Sequence, residues 1–90
     1  MIKEHVLPTL TLLSGDQIPN IRFNVAKSLE QVIVILKKQT QNALVDEAVK
    51  PVLNKMKEDS DIDVKFFSLR ALSIGMLLHL FFIRIFRSEM

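Results

Sequence analysis

Ninety residues are enough for one small domain, and a formal net charge of +2 is too small to indicate a nucleic-acid-binding surface. The chain has no cysteine, which excludes disulfide cross-links and thiolate metal sites. With 49% hydrophobic and 24% charged residues, the composition is that of a folded protein. Because the lack of cysteine suits a reducing compartment, we expect the chain in the cytoplasm, with the nucleus as a second location.

Four amphipathic helices are predicted from the spacing of the apolar residues. The first covers roughly residues 2–14, the second roughly 20–38 and the third roughly 43–58, and the fourth begins near Asp63. In each helix, apolar residues recur three or four positions apart and form one apolar face. No segment alternates apolar and polar residues in the manner of a strand, so the predicted fold class is all-α.

The second half of the chain repeats the first half with a constant shift of 43 positions. A period of ~40–47 residues with two helices per unit is typical of HEAT and armadillo repeats, which stack into an α-solenoid. We therefore assign residues 1–41 to repeat one, residues 42–75 to repeat two and residues 76–90 to a divergent apolar tail. The identical pairs include Val6 and Val49, Pro8 and Pro51, Leu10 and Leu53, Asp16 and Asp59, Phe23 and Phe66, and Leu29 and Leu72.

The three prolines are placed at points where helices bend or begin. Pro8 and Pro51 fall inside the first helix of each repeat. There the missing N–H group and the pyrrolidine ring should kink the helix, because the ring clashes with a carbonyl of the preceding turn. Pro19 suits the first turn of the next helix, whose leading N–H groups have no partner within the helix. Each repeat is therefore predicted to have a curved first helix.

Aspartates mark the turn between the two helices of each repeat. Asp16 and Asp59 occupy equivalent positions just before the second helix. A short carboxylate at such a position can accept hydrogen bonds from unpaired backbone N–H groups. In repeat two, Asp61 and Asp63 are also predicted to cap the last helix and to favour the positive end of its dipole.

A proline, an aspartate, an apolar residue and a basic residue recur in the same order and spacing in both repeats, and this order matches the HEAT consensus. The segments VLPTLTLLSGDQIPNIRFNVAKSL and VKPVLNKMKEDSDIDVKFFSLRAL closely resemble the last two HEAT repeats of the scaffold (A) subunits of protein phosphatase 2A. The RFNVAKSL and DIDVKFF runs are the most diagnostic parts, and the resemblance covers about residues 4–72. The four matched positions are Pro8, Asp16, Ile21 and Arg22 in repeat one, and Pro51, Asp59, Val64 and Lys65 in repeat two.

The resemblance implies a non-enzymatic function without cofactors. Scaffolds of this family have no active site, and the turns of their stacked repeats form a ridge that binds partners. The C-terminal repeats hold the catalytic serine/threonine phosphatase subunit, whereas a regulatory B subunit would require upstream repeats. Carried over by position, the predicted partner-binding residues are Asp16, Ile18, Asn20, Arg22, Asp59, Asp61 and Lys65.

Some of these residues also have a purely structural interpretation. Ile18 can pack against the neighbouring turn instead of a partner. The basic residues can pair with an aspartate of the adjacent turn, and the sequence leaves open whether Arg22 pairs with Asp59 or Lys65 pairs with Asp16. Either pair requires both turns to lie side by side on one edge of the helical layer.

The chain departs from the family in its linker, KKQTQNALVDEA, which is a few residues longer, and beyond Leu72. Residues 71–83, ALSIGMLLHLFFI, carry no charge and are followed by Arg84 and Arg87. This run is shorter than the ~20 residues that span a bilayer, so we expect it to continue the last helix. The alternative for this run is a membrane-surface or tail-anchor role. For the function of the whole chain, the alternatives to a phosphatase scaffold are a membrane-associated segment driven by this run, or a HEAT module of another scaffold.

The number of repeats also differs from that of the family. Family members contain many more than two repeats, which indicates a fragment, a truncated paralogue or an isoform with a replaced end. A repeat buries its apolar faces mainly against its neighbours, so we expect the isolated chain to be helical, marginally stable and self-associating.

Other side chains are expected to be structural. His5 and His79 have no second ligand at metal-binding spacing, and no nucleophile motif such as G-x-S-x-G is present, so neither a metal site nor an enzyme is predicted. Three phenylalanines are predicted to lie in the core, and a pair of lysines is predicted to form a solvated helix end. These residues are Phe23, Phe66, Phe67, Lys37 and Lys38.

Overall fold

The computed structural model describes residues 2–74, which form four helices joined by short turns. Helix α1 begins with a π-helical turn, Ile2–Val6, and continues as an α-helix over Leu7–Leu13. Helix α2 is Pro19–Lys38. Helix α3 comprises Asn42–Leu44, a π-helical turn at Val45–Val49 and an α-helix over Lys50–Met56. Helix α4 covers residues 62–74.

The all-α prediction is confirmed, since residues 2–74 contain no strand. The predicted ends of the helices agree with the observed ones to within two residues. The repeat boundaries at residues 41 and 75 stay a prediction, and the predicted tail, 76–90, lies outside the described residues. No helix within the described part of the chain is long and apolar enough to cross a membrane.

Each helix-interior proline lies beyond a π-helical turn, with one residue between them. Pro8 is the second residue of Leu7–Leu13, and Pro51 is the second residue of Lys50–Met56. Proline cannot donate the usual hydrogen bond to the carbonyl four residues earlier, and its ring crowds that carbonyl. A wider turn before the proline relieves both problems, because it removes the carbonyl from that position. The first helix of each repeat thus contains a π turn at an equivalent position, whereas the predicted curvature of these helices stays a prediction.

Helix α2 lies at the centre of the core and contacts both α1 and α3. Its buried face contributes six apolar residues, more than any other helix of the described chain. A single continuous cluster thus joins the two repeats. Its members are Leu7, Val25, Ala26, Leu29, Val32, Ile33, Leu36, Val45, Val49, Leu53, Met56, Val64 and Ala71.

Two expectations about side-chain burial are wrong. Phe66 is 59% exposed, whereas Phe23 and Phe67 pack against the core as expected. Lys37 is buried at 7% exposure, and only Lys38 is solvated. Lys37 lies on the same helix face as Ile33, so its alkyl chain belongs to the apolar stripe of α2.

The connection from α2 to α3 is a Schellman motif without glycine. The N–H of Gln41 donates to the carbonyl of Leu36 at 2.9 Å, and the N–H of Thr40 donates to that of Lys37 at 3.1 Å. The motif requires a left-handed residue, and here it is Thr40, with φ at 57°. A β-branched residue in this conformation is strained, because its Cβ approaches the following carbonyl.

Candidate partner-binding ridge

The helix–helix turns of the two repeats have the same local hydrogen bonding. The N–H of Ile18 donates to Oδ1 of Asp16 at 2.9 Å, and the N–H of Asp61 donates to Oδ1 of Asp59 at 2.8 Å. Each aspartate thereby closes a turn on its own backbone, as short carboxylates do before helices. The two turns, residues 16–22 and 59–65, together form a surface that we name the ridge.

Arg22 joins the two turns of the ridge. Its Nε and Nη2 donate to the two carboxylate oxygens of Asp59 at 2.7 and 3.0 Å. Its Nη1 donates to the backbone carbonyls of Asp16 and Gln17 at 2.8 and 3.2 Å. One guanidinium therefore holds its own turn and the turn of the next repeat, which confirms that the turns lie side by side. Of the two pairings that the sequence left open, the structure contains the one between Arg22 and Asp59.

The ion pair between Arg22 and Asp59 is largely shielded from water, since the two side chains are 15% and 12% exposed. The hydrogen bonds from Arg22 hold the pKa of Asp59 below its ordinary value, against the opposing effect of burial, and the N–H of Asp61 acts in the same direction as Arg22. The same pair raises the pKa of Arg22. Both charges are thus fixed at neutral pH, and the pair forms a rigid base for the ridge.

Helix α4 is capped by the second turn. Oδ1 of Asp61 accepts hydrogen bonds from the N–H groups of Asp63 and Val64 at 3.0 and 3.1 Å. This is the geometry of an N-cap residue, so the predicted capping role of Asp61 is confirmed. The equivalent position in repeat one is Ile18, which has no side-chain cap, and Pro19 begins α2 instead.

Apolar side chains project from this polar base. Ile18 is 54% exposed and Ile62 is 78% exposed. Asn20 is exposed as well and lines an open groove of about 300 Å³ together with Asp61 and Asp63. The ridge therefore presents hydrophobic side chains beside carboxylates and an amide, on a backbone that its own hydrogen bonds hold in place.

The structure brings Ile18, Asn20, Arg22, Asp59 and Asp61 together on one surface, and it adds three features that the sequence analysis does not single out. Ile62, an apolar residue among acidic turn residues, is exposed on the same turn as Asp61. Asp63, which is predicted to cap α4, instead lines the groove. The sequence also did not indicate the aromatic contacts behind the ridge, where the rings of Phe23 and Phe67 meet edge to face at 4.8 Å.

Basic side chains flank these aromatic rings. Nζ of Lys27 lies 5.2 Å from the centre of the Phe23 ring, and the guanidinium of Arg70 lies 5.3 Å from that of Phe67. Arg70 of α4 also donates to Glu30 of α2 at 3.1 Å, which forms an ion pair between these two helices. The two cation–π contacts each lie within one helix, whereas the pair of phenylalanine rings and the ion pair join α2 to α4. The spacing of the turns is therefore set by packing as well as by Arg22.

The chemistry of the ridge suits the recognition of a protein surface. Within residues 2–74, no group of three or more histidine, aspartate or glutamate side chains is arranged to hold a metal ion. Lys65, at the end of the ridge, is exposed. The binding roles predicted for Asp16, Ile18, Asn20, Arg22, Asp59, Asp61 and Lys65 stay a prediction.

Comparison with known proteins identifies relatives over most of the chain. The chain is 37% identical over 75 residues to the A-type regulatory subunit of protein phosphatase PP2A of Saccharomyces cerevisiae, a match that covers 81% of the chain and 12% of that protein. It is 51% identical over 57 residues to the A beta isoform of the human serine/threonine-protein phosphatase 2A 65 kDa regulatory subunit, covering 63% of the chain and 9% of the relative.

A second kind of phosphatase subunit is also similar. The mouse serine/threonine-protein phosphatase 4 regulatory subunit 1 is 34% identical over 65 residues, which cover 71% of the chain and 7% of the relative. No family model matches the chain. The chain thus spans about a tenth of the length of the curated relatives that it matches.

Proposed function

Because the chain is a homologue of part of the 65-kDa A-type regulatory subunit of protein phosphatase 2A, a HEAT-repeat scaffold, we propose that it is a scaffold module for a serine/threonine phosphatase. In this proposal the module binds the catalytic subunit of the phosphatase through the ridge and has no catalytic activity of its own. All of the relatives described above bear the names of regulatory subunits, which supports this assignment.

The observation that carries the proposal is the exposure of Ile18 on a fixed turn. Ile18 is 54% exposed and Ile62 on the other turn is 78% exposed, so two isoleucines project from the otherwise mostly polar turns of the ridge. The backbone of Ile18 is held by the bond to Asp16, and Arg22 holds the two carbonyls that precede it. Residues that contribute most of the binding energy between proteins are typically apolar side chains that are held in place before binding and are surrounded by polar residues.

The polar residues of the ridge supply specificity in this proposal. Asn20 offers both donors and an acceptor, and Asp61 and Asp63 place negative charge on the walls of the groove. A matching partner surface would carry an apolar pocket for Ile18 and a basic side chain opposite the groove. Arg22 is already paired, so its contribution is to position the turns, which leaves Lys65 as the exposed basic residue of the ridge.

Capture of purified catalytic subunits by the immobilised 90-residue chain tests this function. We expect the chain to retain the catalytic subunit of protein phosphatase 2A, and more of it than of phosphatase 4, given the higher identity to the phosphatase 2A relatives. Ile18→Asp should weaken capture roughly tenfold or more, because it places an unpaired charge in the apolar centre of the contact.

A matched control uses an exposed apolar residue outside the ridge. Leu12 is 78% exposed and lines a groove between α1 and α3 that is separate from the groove of the ridge. Leu12→Asp makes the same kind of change and should leave capture intact, and circular dichroism should show equal helicity for both variants. No capture by the unchanged chain, or equal capture by the Ile18 and Leu12 variants, would contradict the proposed role of the ridge.

A further inference from the structure

Residues that lie 43 positions apart are equivalent in the two repeats. A comparison of their burial identifies two stacking surfaces. Phe23 is partly buried, but its equivalent, Phe66, is 59% exposed. Ala26 is fully buried, whereas its equivalent, Leu69, is 44% exposed. Repeat two covers the first member of each pair, and no described residue covers the second. The surface of repeat two that corresponds to this contact is named the forward face, and it comprises Lys65, Phe66 and Leu69.

The opposite side of the molecule shows the reverse change. Val49 and Leu53 are fully buried in repeat two, but their equivalents, Val6 and Leu10, are only half-buried. In repeat two, these residues are buried because repeat one packs on them. Within residues 2–74, no element packs in the same way on Val6 and Leu10 of repeat one. This surface is named the rear face. It comprises Ile2, Val6, Leu10, Leu13 and Ile21 and the adjacent Asp16.

The two faces carry opposite charges at matching positions. Inside the molecule the repeats are joined by Arg22 and Asp59. The forward face has Lys65 in the position of Arg22, and the rear face has Asp16 in the position of Asp59, in a turn with the same hydrogen bond. Among residues 2–74, neither Asp16 nor Lys65 has an ion-pair partner. Lys65 and Asp16 therefore occupy the basic and the acidic position of a contact equivalent to that between Arg22 and Asp59.

We propose that copies of this chain associate head to tail, with the forward face of one copy on the rear face of the next. Nζ of Lys65 in one copy pairs with the carboxylate of Asp16 in the other, as Arg22 pairs with Asp59 within one chain. Phe66 and Leu69 cover the half-buried rear face. The proposal rests on the repeat geometry alone and does not depend on phosphatase binding.

The contact between copies is weaker than the contact within the chain. A lysine donates to one point, whereas the guanidinium of Arg22 donates in parallel to both oxygens of Asp59. In addition, the rear face has Asn24 at the position of Phe67, so it lacks the ring that Phe23 meets within the chain. We therefore expect reversible association. Because the contact joins two different surfaces and does not close on itself, the average mass should grow with concentration instead of stopping at a dimer.

Sedimentation velocity of the 90-residue chain over a wide concentration series tests the proposal. The unchanged chain should shift from monomer to a broad distribution as concentration rises, and added salt should oppose this shift. Lys65→Asp and Asp16→Lys each oppose like charges and should keep the chain monomeric at concentrations where the unchanged chain associates. An equal mixture of the two variants brings opposite charges together again where the two kinds of chain meet, so it should associate.

Control variants separate this contact from other causes of association. Lys55→Asp changes the net charge as Lys65→Asp does, but it lies on the exposed side of α3 and should leave association unchanged. If Asp16→Lys loses helicity because its turn opens, the comparison of Lys65→Asp with Lys55→Asp still decides the question. A monomer at all concentrations would overturn the proposal. Equal association of Lys65→Asp and Lys55→Asp would also overturn it. The same holds if Leu12→Asp abolishes association while Lys65→Asp does not.

Discussion

Arg22 donates two parallel hydrogen bonds, of 2.7 and 3.0 Å, to the carboxylate of Asp59 across the boundary between the repeats. The remaining donor group of the same guanidinium binds the carbonyls of its own turn. A single side chain therefore fixes both the conformation of one turn and its distance from the next. The planar fork of arginine is needed for this arrangement, because an ammonium group cannot reach both sides at once.

Replacing Arg22 should accordingly destabilise the junction of the repeats. We expect Arg22→Lys to lower the midpoint of thermal unfolding, since it keeps the charge but loses the fork, and Arg22→Ala to lower it further by leaving Asp59 shielded and unpaired. Circular dichroism measures both shifts. Arg70→Ala serves as the comparison, because Arg70 is half-exposed and such pairs contribute ~1 kcal/mol or less. An equal effect of Arg70→Ala and Arg22→Ala would show that the fork has no special role.

The pair also makes stability depend on pH in a definite direction. Arg22 lowers the pKa of Asp59 in the folded chain from its ordinary value of 3.8. A carboxyl with a lowered folded pKa stabilises the fold above its unfolded pKa, and this stabilisation is lost as pH falls through the folded value. We therefore expect the thermal midpoint to fall more steeply below about pH 4 in the unchanged chain than in Asp59→Asn. Asp63→Asn, outside the pair, should keep the steep dependence, and parallel curves for all three proteins would contradict this account.

The sequence predicted the fold well because its signals are local and are present twice. Apolar spacing located all four helices, and Asp16 and Asp59 located the turns between them. The 43-position shift then placed both turns on one edge, since equivalent residues of stacked repeats must lie side by side. The choice of the pair between Arg22 and Asp59 over that between Lys65 and Asp16 needed the structure, because it depends on which repeat lies in front of the other.

Two features of the fold could not be predicted from the sequence, for different physical reasons. Phe66 and Phe23 are equivalent in sequence, but Phe66 faces outward because no further repeat within residues 2–74 covers it. The type of a residue predicts its burial only when the repeat that packs against it is also known. The π turns at Ile2–Val6 and Val45–Val49 were also missed in detail, since the prolines indicate an irregular helix but do not specify how the helix accommodates it.

The left-handed residue after α2 offers a stabilising substitution. Thr40 has φ at 57°, which costs a residue with a branched Cβ about 1–2 kcal/mol. Thr40→Gly removes this strain, at the expense of about 0.5–1 kcal/mol from the greater freedom of the unfolded chain. We expect a gain in unfolding free energy of up to about 1 kcal/mol, measured by urea denaturation. The same substitution at Thr9, in the interior of α1, should instead cost about 0.5 kcal/mol. A loss of stability at both positions would argue against strain at Thr40.

Asp61 has two separable roles, as the cap of α4 and as a charge on the groove. Its Oδ1 accepts hydrogen bonds from the N–H groups of Asp63 and Val64, and removal of such a cap typically costs about 1 kcal/mol. Asp61→Ala should therefore lower the unfolding free energy by roughly that amount, and Asp63→Ala by less, since Asp63 acts only through the helix dipole. Asp61→Asn retains a capping oxygen and removes the charge, so it should keep most of the stability.

The Asp61→Asn variant also tests whether the charge of Asp61 contributes to binding. If this variant and the unchanged chain capture equal amounts of the phosphatase catalytic subunit, the charge of Asp61 takes no part in binding and the residue serves the fold alone. A stable Asp61→Asn variant with weakened capture would instead assign the carboxylate to the contact, because stability and binding would then have been changed separately.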